Sequence, residues 1–215
     1  SELASRPINR ILLNTNGLRI ARDDALLGWL AERRDRVEVY LQYDGRRAWS
    51  YRAHRGGDLV RWKEGAVDRL SEAGVFTTLT MTAALGVNDD EIGAVVRRSI
   101  ETPYIAGVSI QPMFGSGRST EFDPMDRLTH TGVLARLGRQ TDGLVDWHDL
   151  TALPCSHPHC CSVGYLVRTD SGEWRSIVGI IGHDQMKEHL GLMSNRIGDW
   201  QLAPQARELV RQSLL

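Results

Sequence analysis

Val37-Glu38-Val39-Tyr40-Leu41-Gln42-Tyr43-Asp44-Gly45 reads as a β-strand running into a turn. Its branched and aromatic residues suit a pleated surface, and Asp-Gly closes it with turn chemistry. A helical pattern follows from Asp58 to Ala73, carrying Leu59, Trp62, Val67 and Leu70. Val75-Phe76-Thr77-Thr78-Leu79-Thr80-Met81-Thr82 then reads as a second strand. Strand, helix and strand at this spacing form a βα unit.

The same rhythm extends in both directions. Upstream, Arg10-Ile11-Leu12-Leu13-Asn14 is a short apolar run closed by Thr15-Asn16-Gly17, and Asp23 to Arg34 reads as a helix with Leu26, Leu27 and Leu30 on one face. Downstream, a helix from Asp89 to Ile100 leads to a fourth strand, Tyr104-Ile105-Ala106-Gly107-Val108-Ser109-Ile110-Gln111. The strands start roughly 27 to 38 residues apart, as expected of a parallel α/β array with right-handed crossovers. Such arrays place ligands at the C-terminal ends of their strands.

Those ends are polar in register. They read Asn14-Thr15-Asn16-Gly17, Gln42-Tyr43-Asp44-Gly45, Gly86-Val87-Asn88-Asp89 and Gln111-Pro112-Met113-Phe114-Gly115. Turn formation alone enriches Asn, Asp and Gly, but amides also read ribose hydroxyls and adenine edges, and Gly admits close backbone approach.

With 215 residues, 41% of them hydrophobic and 25% charged, the chain is long enough for one large domain or a domain plus a subdomain. Its net charge of −1 gives no electrostatic footprint for nucleic acid. No N-terminal apolar segment and no run of 18 apolar residues stands in the sequence, and its cysteines number three. This combination predicts a cytoplasmic protein with no membrane span.

All three cysteines fall in Leu153-Pro154-Cys155-Ser156-His157-Pro158-His159-Cys160-Cys161. Thiolates with interposed His157 and His159 are candidate ligands for zinc or an iron–sulfur cluster, and Pro154 and Pro158 make the segment a stiff loop. The bland alternative is that these are inert buried thiols. Asp146, His148 and Asp149 form a second polar group, of a kind that more often orients its neighbours than binds a metal.

Together, Leu13 to Gly17, Val39 to Gly45, Leu85 to Gly93, Gly107 to Pro112 and Leu153 to Pro158 resemble the radical S-adenosylmethionine enzymes. The likeness runs from Ile8 to Tyr165. It is nearest to the branch of archaeal tetraether-lipid synthases and C-methylating or C–C coupling proteins with auxiliary iron–sulfur clusters. The resemblance implies a partial (βα) barrel, four of six parallel strands, over residues 1–125, with an auxiliary-cluster and capping region over 126–215. It implies S-adenosyl-L-methionine binding by Asn14, Asn16, Gln42, Asp44, Asn88, Gln111 and Met113. It also implies a four-iron, four-sulfur (4Fe-4S) cluster on Cys155, Cys160 and Cys161, a small-molecule or lipid substrate, and a reductant for the cluster.

Two features of the family are missing: the N-terminal C-x-x-x-C-x-x-C loop, since no cysteine precedes Cys155, and the Gly-Gly-Glu turn. The expectation is therefore part of a radical enzyme for C-methylation or C–C bond formation. The alternative is a non-catalytic remnant or metal-binding module. An unpaired edge at Arg10–Asn14 is expected to promote self-association. Further on, Thr129 or Thr131 is placed to cap a helix to Arg139, Gly164–Arg168 and Arg175–Ile181 read as a hairpin, and Met186–Met193 and Pro204–Leu214 read as helices.

Overall fold

The computed structural model describes residues 2–115, 123–152 and 161–189, and the chain divides into two compact units at Leu128/Thr129. In the first, a short helix α1 (Glu2–Ser5) precedes β1 (Ile11–Thr15), α2 (Asp24–Ala31), β2 (Val37–Gln42), α3 (Ala48–Arg55), α4 (Val60–Glu72), β3 (Thr77–Ala83), α5 (Ile92–Glu101) and β4 (Ile105–Pro112). The four strands are parallel, in the order β1-β2-β3-β4. Each strand therefore neighbours the next in sequence, and right-handed crossovers in one direction lay α2, α4 and α5 on a single face.

The core lies on that face. Val37, Val39, Leu41, Leu79, Met81 and Ala83 are each 1% exposed or less, and Leu30, Ala66, Val67, Leu70, Ile92 and Val95 of the helices are fully buried. Side chains of this kind contribute about 1.5–3 kcal/mol apiece when buried. The unit is thus a four-stranded parallel α/β sheet, and among the described residues it is open; a barrel is not seen.

Local sequence explains the element ends. The Asp23 carboxylate accepts from the Leu26 amide at 2.9 Å and starts α2. Helix α3, which the sequence reading left as a connection, has only Ser50 and Tyr51 buried, so it carries no apolar stripe to announce it.

The second unit contains α6 (His130–Gln140), a 3-10 turn (Trp147–Asp149), β5 (Thr151–Ala152), β6 (Ser162–Val163), β7 (Leu166–Arg168), β8 (Trp174–Ser176), α7 (Ile177–Ile181) and α8 (His183–His189). Thr129 caps α6, accepting from the Gly132 amide at 3.0 Å. The expected hairpin forms as β7 and β8, but its second arm stops at Ser176. There the Ser176 hydroxyl accepts from the Gly179 amide at 3.2 Å and turns Ile177–Ile181 into a helix. A short apolar run does not separate strand from buried helix by periodicity. Ile177, Val178, Ile181 and Met186 form this unit's core. Pro204–Leu214 lies outside the described residues, as do His157 and His159.

Candidate functional site: the polar sheet face and its strand ends

Residues paired across a parallel sheet point to the same side. The register sets Asn14 beside Tyr40, Tyr40 beside Thr78, Gln42 beside Thr80, Thr80 beside Ser109 and Thr82 beside Gln111. The face opposite the helices is therefore built mainly of amides and hydroxyls, with Leu12 and the buried Glu38 at the start of β1 and β2. Sheets covered by helices on both faces read as continuous apolar runs, and this one does not.

Tyr40, Thr80, Thr82 and Ser109 are half-buried and Gln111 is exposed; none of these side chains hydrogen-bonds another described residue. The Thr78 hydroxyl is buried without a partner among the described residues. Beside it Gly107 leaves a recess, since a Cβ there would come within 3.2 Å of Thr78 Oγ1. The face thus carries hydrogen-bonding capacity that the described fold does not use.

At the strand ends that capacity is spent on holding loops. Lys63, fully buried on α4, donates to the carbonyl oxygens of Asn16 at 2.7 Å and Gln42 at 2.8 Å, and to Gln42 Oε1 at 3.0 Å. Gln42 Nε2 donates to the Asp44 carboxylate. Asp44, also fully buried, accepts from the Thr82 amide at 3.0 Å and from Arg55 Nε at 2.9 Å. Asn88 donates to the carbonyls of Asp44 at 2.7 Å and Thr82 at 2.8 Å and accepts from the Ala84 amide at 2.8 Å. Glu91 accepts from the Arg46 amide at 2.7 Å, lying so close to Gly45 (φ 145°) that a Cβ there would overlap its carboxylate.

The predicted residues thus divide by position. Asn14 and Gln111 are exposed on the polar face, and Gln42 and Met113 are half-buried. Asn16 is exposed, with its side chain accepting from the Leu18 amide at 3.1 Å, while Asp44 and Asn88 sit buried behind the loops. Met113 donates its backbone N–H to the Ala83 carbonyl at 2.8 Å.

Sequence reasoning missed Tyr40, Thr80, Thr82, Ser109 and Lys63. A signal existed for the threonines and the lysine. Thr78, Thr80 and Thr82 recur with period two, and Lys63 falls on the apolar stripe of its helix, where a lysine calls for an internal acceptor.

Burial is the main cause that lowers the Lys63 pKa from 10.5 to about 8, opposed by the Asp44 carboxylate and assisted by Arg55. Above pH 8 the unfolded chain then binds more protons at this position than the native one, so stability rises with pH. Unfolding free energy is expected to increase by about 2 kcal/mol between pH 8 and 9.5 through this group. Urea titrations of wild type and Lys63→Met across that range check it; parallel pH profiles for the two proteins would contradict it.

In the second unit, Asp146 Oδ1 accepts from the His148 backbone amide at 3.1 Å, and Asp149 accepts from the Asp146 amide at 2.7 Å, as part of a capping box for the 3-10 turn. Asp146 Oδ1 also pairs with the His148 ring at Nδ1, 2.8 Å away. The backbone amide and ring of His148 hold the Asp146 carboxyl below its usual range. An open cavity of about 430 Å³ lies nearby, bordered by Leu144, Asp149, Trp174, Arg175 and Ile180.

Among the described residues no three His, Cys, Asp or Glu side chains gather as a metal site. Cys161 is a half-buried free thiol, and Cys155 and Cys160 lie outside the described residues. The polar face does suit S-adenosylmethionine, whose ribose hydroxyls, amino-acid head and adenine edge all require hydrogen-bond partners.

Fold and site together define a parallel α/β unit with helices on one face of its four-stranded sheet and a polar face on the other. No family profile matches the chain. It is 27% identical over 158 residues to the 7,8-dihydro-6-hydroxymethylpterin dimethyltransferase of Methanocaldococcus jannaschii, a match covering 63% of this chain. The chain spans about a third (31%) of the length of that curated relative. The match supports a relationship at the level of the radical S-adenosylmethionine superfamily and nothing finer. No helix among the described residues is long and apolar enough to cross a membrane.

Proposed function

We propose that this chain is the S-adenosylmethionine-handling part of a radical enzyme that methylates carbon or forms C–C bonds. The observation that carries the reading is the polar sheet face, whose hydroxyls and amides converge on the C-terminal strand ends. Asn14, Gln42, Gln111 and Met113 touch the cosubstrate, while Asn16, Asp44 and Asn88 hold the loops that present it. Cys155, Cys160 and Cys161 are the proposed ligands of an auxiliary 4Fe-4S cluster, which would exchange electrons with an external reductant. The substrate is a small polar heterocycle in preference to a lipid: the relative's name specifies a dihydropterin, and the face offers hydrogen bonds rather than hydrocarbon.

Calorimetric titration with S-adenosylmethionine tests the reading. Binding is expected, with affinity reduced about tenfold in Gln111→Ala through loss of one hydrogen bond. No binding to the wild-type chain would favour the non-catalytic alternative. Anaerobic iron and sulfide analysis, repeated on Cys155→Ala, tests the cluster, and zinc or no metal would remove it.

Among the described residues, strand β1 pairs only with β2. Its second edge, with Leu12 56% exposed, is the proposed route of self-association. Light scattering is expected to show species larger than the monomer, reduced by Leu12→Lys; a monodisperse monomer at high concentration would contradict this.

A further inference from the structure

Helix α4 carries one fully buried charge, and the reading above gives it no task. Lys63 meets three acceptors from two different strand ends: the Asn16 carbonyl after β1, and the carbonyl and side-chain oxygen of Gln42 at the end of β2. An ammonium only donates and a carboxylate only accepts. With Lys63 on one side and Asp44 on the other, the Gln42 amide has one permitted orientation, Oε1 toward Lys63 and Nε2 toward Asp44. That leaves Gln42 one N–H and one lone pair, directed by its neighbours before any ligand arrives.

We propose that Lys63 is a positioning residue whose ammonium fixes the Gln42 amide and clamps the β1 and β2 ends, so that ligand recognition at this site depends on its protonation. The proposal rests on the assignment of Gln42 to the cosubstrate site only for its consequence, since the clamp itself is a property of the free protein.

The groups facing Lys63 are few. Asp44 follows β2, Arg55 and the Tyr51 ring come from α3, and the Asn16 carbonyl comes from the β1 end; the Lys63 ammonium stands 5.8 Å from the centre of the Tyr51 ring. Asp44 and Arg55 pair with each other at 2.9 Å, and burial pushes the Tyr51 phenol above its usual range, so the phenol keeps its proton near neutrality. Lys63 is lowered to about 8. Loss of its proton leaves two N–H donors for three acceptors and takes the charge from the bond to Gln42 Oε1, while Asp44 still holds Nε2.

Nitrogen-edited NMR of the Gln42 side-chain amide, followed from pH 6.5 to 9.5 in the free protein, decides the matter. Both amide protons are expected to be well dispersed at low pH and to shift with a midpoint near 8 as the charge beside Oε1 is lost, the proton bonded to Asp44 staying protected. In Lys63→Met the amide should sit at its high-pH position throughout. Gln42 resonances that ignore pH in the wild type overturn the proposal, and that result does not depend on whether the variant folds. Resonances unchanged by Lys63→Met overturn it as well. S-adenosylmethionine titrated over the same range should lose affinity in step with the amide shift. If the amide titrates but S-adenosylmethionine never binds, the clamp stands and the cosubstrate assignment falls.

Discussion

Asp44→Ala is expected to lower the unfolding free energy by about 4 kcal/mol, because it strips partners from three donors at once. The Thr82 amide, the Gln42 amide and the Arg55 guanidinium all converge on this fully buried carboxylate. Arg55 reaches solvent on one side and recovers part of its hydration; the Thr82 amide, in the strand, is less able to. The loss should appear as a lower urea midpoint with an unchanged m-value. A midpoint within error of wild type would show that the loops do not depend on this carboxylate.

Asn88→Leu, with the same number of side-chain heavy atoms, is expected to cost about 3 kcal/mol by leaving two carbonyls and one buried amide unpaired. The amide of Asn88 joins the Asp44 carbonyl after β2 to the Thr82 carbonyl in β3, and its oxygen closes the turn at Ala84. Leucine retains the bulk and none of these bonds. Hydrogen exchange checks the location of the damage: protection should fall at Ala84 and the residues beyond Asp44 before it falls in the β3 core at Leu79. Uniform loss across the sheet would make Asn88 a general packing residue instead.

Much of this fold is legible in the sequence because strand and helix periods differ and turn residues punctuate them. The four strands lie within a few residues of the apolar runs at Arg10, Val37, Val75 and Tyr104, and α2, α4 and α5 lie under the expected helical patterns. Helix α3 escaped because its exposed Trp49 and three basic residues, Arg52, His54 and Arg55, give no apolar stripe. The α7 turn escaped because the cap at Ser176 decides it against an apolar run that suits either state.

The site was half legible. Polar strand ends drew notice to Asn14, Gln42 and Gln111, but which face each strand residue occupies is set by register, which a single sequence leaves open. Only the pairing of Tyr40, Thr78 and Gly107, and of Gln42, Thr80 and Ser109, shows that separate strands contribute to one polar surface. Asp44 and Asn88 are buried in the structure, and sequence alone does not separate a buried loop anchor from a ligand contact, because the two use the same residue types.

Chemical-shift mapping with S-adenosylmethionine tests the central claim most directly. The account predicts perturbations at Thr80, Thr82, Ser109 and Gln111, with Leu70 and Val95 on the helical side unmoved. Shifts confined to the helical face, or to Trp174 and Arg175 around the cavity of the second unit, would contradict it.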